Sequence, residues 1–182
     1  MKELSLNILD ISENSVKAKA TLVEILITES DTELELKIVD NGTGMTPEVL
    51  ASAQNPFYTT RTTRKVGMGI PLLKMAAELA DGALSIESTH ISCDSERHGT
   101  AVTATFRKDH IDFTPLGDTV STVVTLIQGH PATDFVFIHK MPKGEVSLDT
   151  RELRAVLEDV PLDTFEVLGW IRDSLTEQYQ SI

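Results

Sequence analysis

The chain has 182 residues, of which 41% are hydrophobic and 24% charged, enough to bury one sizeable core, with or without a small appendage. A formal net charge of -12 argues against a nucleic-acid binder and against adhesion to an anionic membrane. A single cysteine, Cys93, rules out an internal disulfide and points to a reducing cytoplasm. No apolar run nears the length of a membrane span, and no basic-then-apolar opening signals a secretory leader.

Leu4 to Ala18 reads as a helix. Leu4, Ile8, Ile11 and Ser15 share one side, and Leu6, Leu9 and Val16 widen the apolar face. Asp10 and Asn14 stand one turn apart on it, and Glu13 is expected in solvent. Thr21–Thr28 and Glu33–Val39 have β patterns joined by a Ser30-Asp31 turn, which predicts an antiparallel pair. Thr46-Pro47-Glu48 opens a short helix ending near Ala53, with Thr46 as N-cap. A further helix spans Gly67 to Gly82, its Leu72, Leu73, Met75 and Leu79 stripe expected in the core. Ala83–Ser88 and Thr100–Arg107 are predicted strands, and Lys108–Gly117 a linker. Beyond it come a helix over 118–128, a strand over 134–139 and helices over 149–159 and 163–179.

Three separated pieces carry chemistry. Asp10 and Asn14 lie on the first helix. Asp40-x-Gly42-x-Gly44, followed by Met45, leaves a strand directly. The third is the basic, hydroxyl-rich run Thr59, Thr60, Arg61, Arg64, Lys65, which narrows to Gly67-Met68-Gly69 at a helix start. Glycines there let backbone N–H groups approach an anion, and the helix N-terminus favours its charge, which suits a polyphosphate. No Gly-Lys-Ser/Thr follows, so the loop is not a P-loop. The five histidines show no metal-ligand spacing, so structural or surface roles are expected for them.

In their order and contexts these pieces resemble the GHKL ATPase superfamily with its Bergerat ATP-binding fold, whose members include DNA gyrase, heat-shock chaperones, sensor histidine kinases and mismatch-repair ATPases. PFYTTRTTRKVGMGI is similar to the kinase lid and Gly box, SENSVKAKATLVEI to the Asn box, and HGTAVTATF to the last box. The resemblance covers about Leu4 to Arg107. It implies a two-layer α/β sandwich, a mixed sheet with helices on one face, over residues 1–108, followed by a small C-terminal α/β extension over 109–182.

The resemblance also implies roles. Asn14 would bind Mg²⁺ through its amide oxygen, and Lys17 would contact phosphate. Asp40 would accept the adenine amine, with Gly42, Gly44 and Met45 passing close to the base and Thr100 beneath it. Gly67, Met68 and Gly69 would offer N–H groups to phosphates, and Thr59, Thr60, Arg61, Arg64 and Lys65 would form a lid anchored by Phe57 and Tyr58. Lys65 stands where kinases usually keep glycine. Hydrolysing relatives place Glu where this chain has Asp10, a shorter carboxylate, as the general base.

The implied function is Mg-ATP binding with slow hydrolysis, or phosphoryl transfer to a protein partner in trans. Sensor kinases carry their acceptor His on a dimerising hairpin before this domain. Here the Asn box begins near Met1, so a stand-alone protein is expected, and a homodimer is compatible with it. The alternative is an anti-sigma-like regulator whose nucleotide shifts the lid and whose lid and tail bind a partner.

Overall fold

The computed structural model describes residues 2–53 and 69–182. Elements follow the order α1 (Leu4–Lys17), β1 (Leu22–Glu29), β2 (Glu33–Asp40), α2 (Pro47–Ser52), α3 (Gly69–Leu79), β3 (Leu84–Thr89), β4 (Gly99–Arg107), α4 (Thr119–Gly129), β5 (Asp134–Met141), β6 (Gly144–Asp149), α5 (Thr150–Leu157) and α6 (Phe165–Gln180). The strands form one mixed six-stranded sheet, ordered β3-β4-β2-β1-β5-β6. All neighbours are antiparallel except β1 and β5, which run parallel.

Alternation explains the layers. Val23, Ile25 and Ile27 of β1, Leu34, Leu36 and Ile38 of β2, and Val102, Ala104 and Phe106 of β4 all face one side and are buried. The registers pair Ile25 with Ile38 and Ile38 with Val102, so these rows run straight across the sheet. On that side α3, α1, α4 and α6 lie next to one another, α3 over β3 and β4, α1 over β1 and β2, α4 over β5, and α6 beside β6. This is the expected two-layer α/β sandwich. The short α5 instead packs on β5, where Arg154 Nε bonds Asp134 Oδ1 at 2.7 Å.

The stripe expected in the core on α3 splits. Leu73, with Ala77 and Ala80, is buried, whereas Met75 and Leu79 are 50% and 52% exposed. Among the described residues α3 packs mainly on α1, β3 and β4, so Leu73 and Ala77 are buried there, Ile70 and Ala76 flank them, and Met75 and Leu79 point away from these neighbours.

The strands after residue 133 continue the same sheet, and their buried side chains join the same core. Phe135 and Phe137 sit level with Val23 and Ile25 and are almost fully buried, each contributing about 1.5–3 kcal/mol. A second bond between the two stretches is polar. His139 Nε2–H donates to Glu29 Oε1 at 3.0 Å, so its Nδ1 accepts from the Tyr179 hydroxyl at 2.8 Å, which in turn accepts from Thr119 at 3.1 Å. Lys108 closes on the other oxygen of Glu29. The linker also caps α1, since Pro115 and Leu116 carbonyls accept the Leu4 and Ser5 N–H groups at 2.9 and 2.8 Å.

β6 is absent from the elements read off the sequence. Its apolar residues are few, Val146 and Leu148. It is held by pairing with β5 and by Gln178, whose amide accepts the Ser147 N–H and donates to the Ser147 carbonyl on the open edge. No helix among the described residues is long and apolar enough to cross a membrane.

Candidate functional site

The polar row of the site begins where the apolar rows stop. After Leu34, Leu36 and Ile38, the next inward position of β2 is Asp40. Register sets Asp40 opposite Thr100, and Thr100 opposite Ser88, so one polar row crosses β2, β4 and β3 at a sheet end beside α1.

Both carboxylate oxygens of Asp40 are fixed. Oδ2 accepts from the Ser15 hydroxyl at 2.7 Å, and Oδ1 from the Gly42 N–H at 2.8 Å. A carboxylate can only accept, so it keeps lone pairs for a further donor while helix and loop set its orientation. Ser15 is a site residue that sequence reasoning missed. Its signal was there, a hydroxyl in the apolar row Leu4, Ile8, Ile11, since a buried hydroxyl needs a partner.

The loop after Asp40 is tied down at several points. The Gly42 carbonyl accepts from His98 Nδ1–H at 2.5 Å, and Thr43 N–H donates to the Ala18 carbonyl at 2.8 Å. Met45 N–H donates to Ser88 Oγ at 2.8 Å, and Ser88 gives its own proton to the Gly99 carbonyl at 3.0 Å. Either oxygen can serve as donor in the pair that Ser88 Oγ forms with the Thr100 hydroxyl at 2.8 Å, and with the Ser88 proton on the Gly99 carbonyl the donor is Thr100. Ser88 and His98 were not legible as site residues, because their partners lie 11 to 56 positions away.

Two glycines are demanded by this crowding. Gly44 has φ +67°, and a Cβ on it would lie 1.9 Å from the Thr89 carbonyl oxygen. Gly99 has φ +134°, and its Cβ would lie 1.9 Å from the Asp40 carbonyl oxygen. The protein's own backbone thus requires glycine at position 44, independently of the close approach to a base that the resemblance implies.

The second half of the site is the junction of α1 and α3. A Cβ on Gly69 would lie 3.4 Å from Asp10 Cβ and 3.7 Å from Asn14 Nδ2. Asp10 and Asn14 therefore border the first turn of α3, whose leading N–H groups lack intrahelical acceptors. Lys17 follows one turn later on the same flank of α1 and is exposed. Because Ser15 follows Asn14, a single helix serves both the Asp40 row and this junction. Thr59, Thr60, Arg61, Arg64, Lys65, Gly67 and Met68, with Phe57 and Tyr58, lie outside the described residues.

Glu13 is not left to solvent, as its position on α1 suggested. Its Oε1 meets His130 Nε2 at 2.7 Å and its Oε2 meets Lys17 Nζ at 3.4 Å. Burial pushes its carboxyl up, but the His130 hydrogen bond and the charges of His130 and Lys17 outweigh this and hold it below the usual value.

Among the described residues no group of three or more His, Cys, Asp or Glu is arranged to hold a metal ion. A cation at Asn14 would be completed by phosphate oxygens and waters, the mode Mg²⁺ favours, so the donor set fits that ion carried in with a nucleotide.

The chain is 29% identical over 102 residues to the sensor histidine kinase YvrG of Bacillus subtilis (strain 168), an alignment covering 52% of the chain and 16% of that kinase. It thus spans about a sixth of the curated relative's length. The Aquifex aeolicus MutL ATPase domain complexed with ADP superposes with a TM-score of 0.51 at 16% identity, covering 87% of this chain and 70% of that one. The N-terminal domain of a DNA repair protein gives 0.54 at 18% identity, covering 81% and 53%. At such identities these two establish the fold. The model of the histidine kinase-, DNA gyrase B- and HSP90-like ATPases matches residues 2–110, more than half of the sequence, and the chain belongs to that ATPase family.

Proposed function

We propose that the chain binds Mg-ATP between the Asp40 row and the α1–α3 junction, and that it hydrolyses the nucleotide slowly or passes the phosphoryl group to a protein partner in trans. The observation that carries this is the double use of α1: Ser15 fixes Asp40 while Asn14 and Asp10 border the start of α3. A purine nucleotide between them would place its base at an oriented acceptor and its phosphates at helix N–H groups. The ADP in the Aquifex aeolicus MutL domain of like fold supports the choice of an adenine nucleotide.

In this reading Asp40 accepts the adenine amine, while Gly42, Gly44, Met45 and Thr100 wall the base. Asn14 supplies an amide oxygen to Mg²⁺, which neutralises phosphate charge. Lys17 and Gly69 contact the phosphates, a role proposed also for Thr59, Thr60, Arg61, Arg64, Lys65, Gly67 and Met68. Asp10 removes a proton from the attacking water or hydroxyl, since a general base must reach that atom and Asp10 borders the phosphate end.

A thermal or urea titration with Mg-ATP tests the binding. At a hundredfold excess over Kd, stabilisation of about 2.7 kcal/mol is expected, and it should shrink in Asn14→Ala. No shift in the parent protein would sink the site. The regulator alternative is favoured by one feature, the reach of the C-terminal stretch to Glu13 through His130. Binding without turnover or transfer of radiolabelled phosphate would select it.

A further inference from the structure

We infer that His130 is a positioning residue through which the C-terminal stretch controls how much of Lys17 is offered to a bound polyphosphate. This rests on the Mg-ATP reading above. Glu13 stands one turn before Lys17 on α1, and its carboxylate is shared between the Lys17 ammonium at 3.4 Å and His130 at 2.7 Å. A carboxylate oxygen accepts, so the His130 Nε2–H donates to Glu13 Oε1.

His130 is not placed by α1. It ends α4, with its N–H on the Leu126 carbonyl at 3.0 Å, and its own carbonyl accepts from Thr133 N–H at 3.0 Å in the turn leading into β5. His130 is therefore set by the end of α4 and the turn into β5, while Lys17 is 56% exposed and set by α1. A bare Glu–Lys pair at i, i+4 is weak and flexible. Here one end of it is anchored from 117 positions away.

The sharing has a direction. While His130 holds one oxygen, Glu13 cannot close fully on Lys17, and the ammonium stays available to phosphate. Losing His130 lets Glu13 swing onto Lys17 and compete with the nucleotide. Losing the Glu13 charge releases Lys17 and removes an anion one residue from Asn14. By linkage, phosphate that draws Lys17 away must alter the Glu13–His130 contact and so be felt in α4.

Calorimetric titration with Mg-ATP and with adenosine, which lacks phosphates, reads this out. Glu13→Gln should tighten ATP binding by about 1.4- to 2.3-fold, the scale of one helix ion pair. His130→Ala should weaken it by a similar factor, and His130→Gln, which restores an N–H donor, should recover it. Adenosine affinity should stay constant throughout, which also shows that the variants are folded. In Lys17→Ala, neither substitution should change ATP affinity through this route. The His130 ring-nitrogen resonances should move with ATP and not with adenosine. Unchanged ATP affinity in both Glu13→Gln and His130→Ala, with the parent binding normally, overturns the inference. Failure of the parent to bind ATP takes down the Mg-ATP reading and the inference with it.

Discussion

Replacing Asp40 by Asn separates the role of its charge from the role of its shape. The carboxylate accepts from Gly42 N–H at 2.8 Å and from Ser15 Oγ at 2.7 Å. In Asp40→Asn the backbone N–H of Gly42 cannot turn, so the new amide oxygen must stay on it. The amide NH₂ then occupies the Oδ2 position, and the Ser15 hydroxyl rotates to accept. Folding keeps both bonds but loses their charge assistance, costing about 1–2 kcal/mol. Binding suffers differently. The adenine amine would meet a donor, and an unmatched donor pair costs about 1–3 kcal/mol, roughly 5- to 150-fold in affinity. A 6-oxo purine offers an acceptor at that edge, so inosine triphosphate should lose less or gain. Calorimetry of the parent and Asp40→Asn with both nucleotides decides it. An unchanged ratio of ATP to inosine triphosphate affinity in Asp40→Asn would refute the assignment of Asp40 to the base edge.

Three further outcomes follow from named contacts. Gly99→Ala should cost about 3 kcal/mol or more, because φ +134° and the Asp40 carbonyl leave no room for Cβ. Urea unfolding measures it, and a loss under 0.5 kcal/mol contradicts the crowding. Asp10→Asn should retain Mg-ATP binding and lose turnover by about a hundredfold or more; equal turnover removes Asp10 from the mechanism. Burial pushes the His139 imidazole below its ordinary value, Glu29 opposes this, and the Lys108 charge adds to it, with the Tyr179 hydroxyl on the other nitrogen. The unfolded chain therefore takes up this proton first. Stability from neutral His139 is full above about pH 6.5 and falls as pH drops below it. The slope of unfolding free energy between pH 5 and 7 should flatten in His139→Gln, and an unchanged slope counts against the buried network.

Most local elements, and the motifs of the candidate site, can be read from the order of residues alone. Inward alternation along Leu34, Leu36 and Ile38 fixes which face Asp40 takes, and spacing of four puts Asp10 and Asn14 on one flank, because both follow from the periods of strand and helix. The Thr46 side chain caps α2 and Asp118 caps α4 for equally local reasons. Tertiary structure decided the rest. It placed Ser15 on Asp40, His98 on Gly42 and His130 on Glu13, contacts between positions 25 to 117 apart that no local period encodes. It also set β5 beside β1 and created β6, whose two apolar residues give little pattern until β5 supplies a partner. Met75 and Leu79 show the same limit from the other side. Their spacing matches a buried stripe, but burial depends on which neighbours meet the helix, and among the described residues those neighbours, mainly α1, β3 and β4, cover the Leu73–Ala77 side.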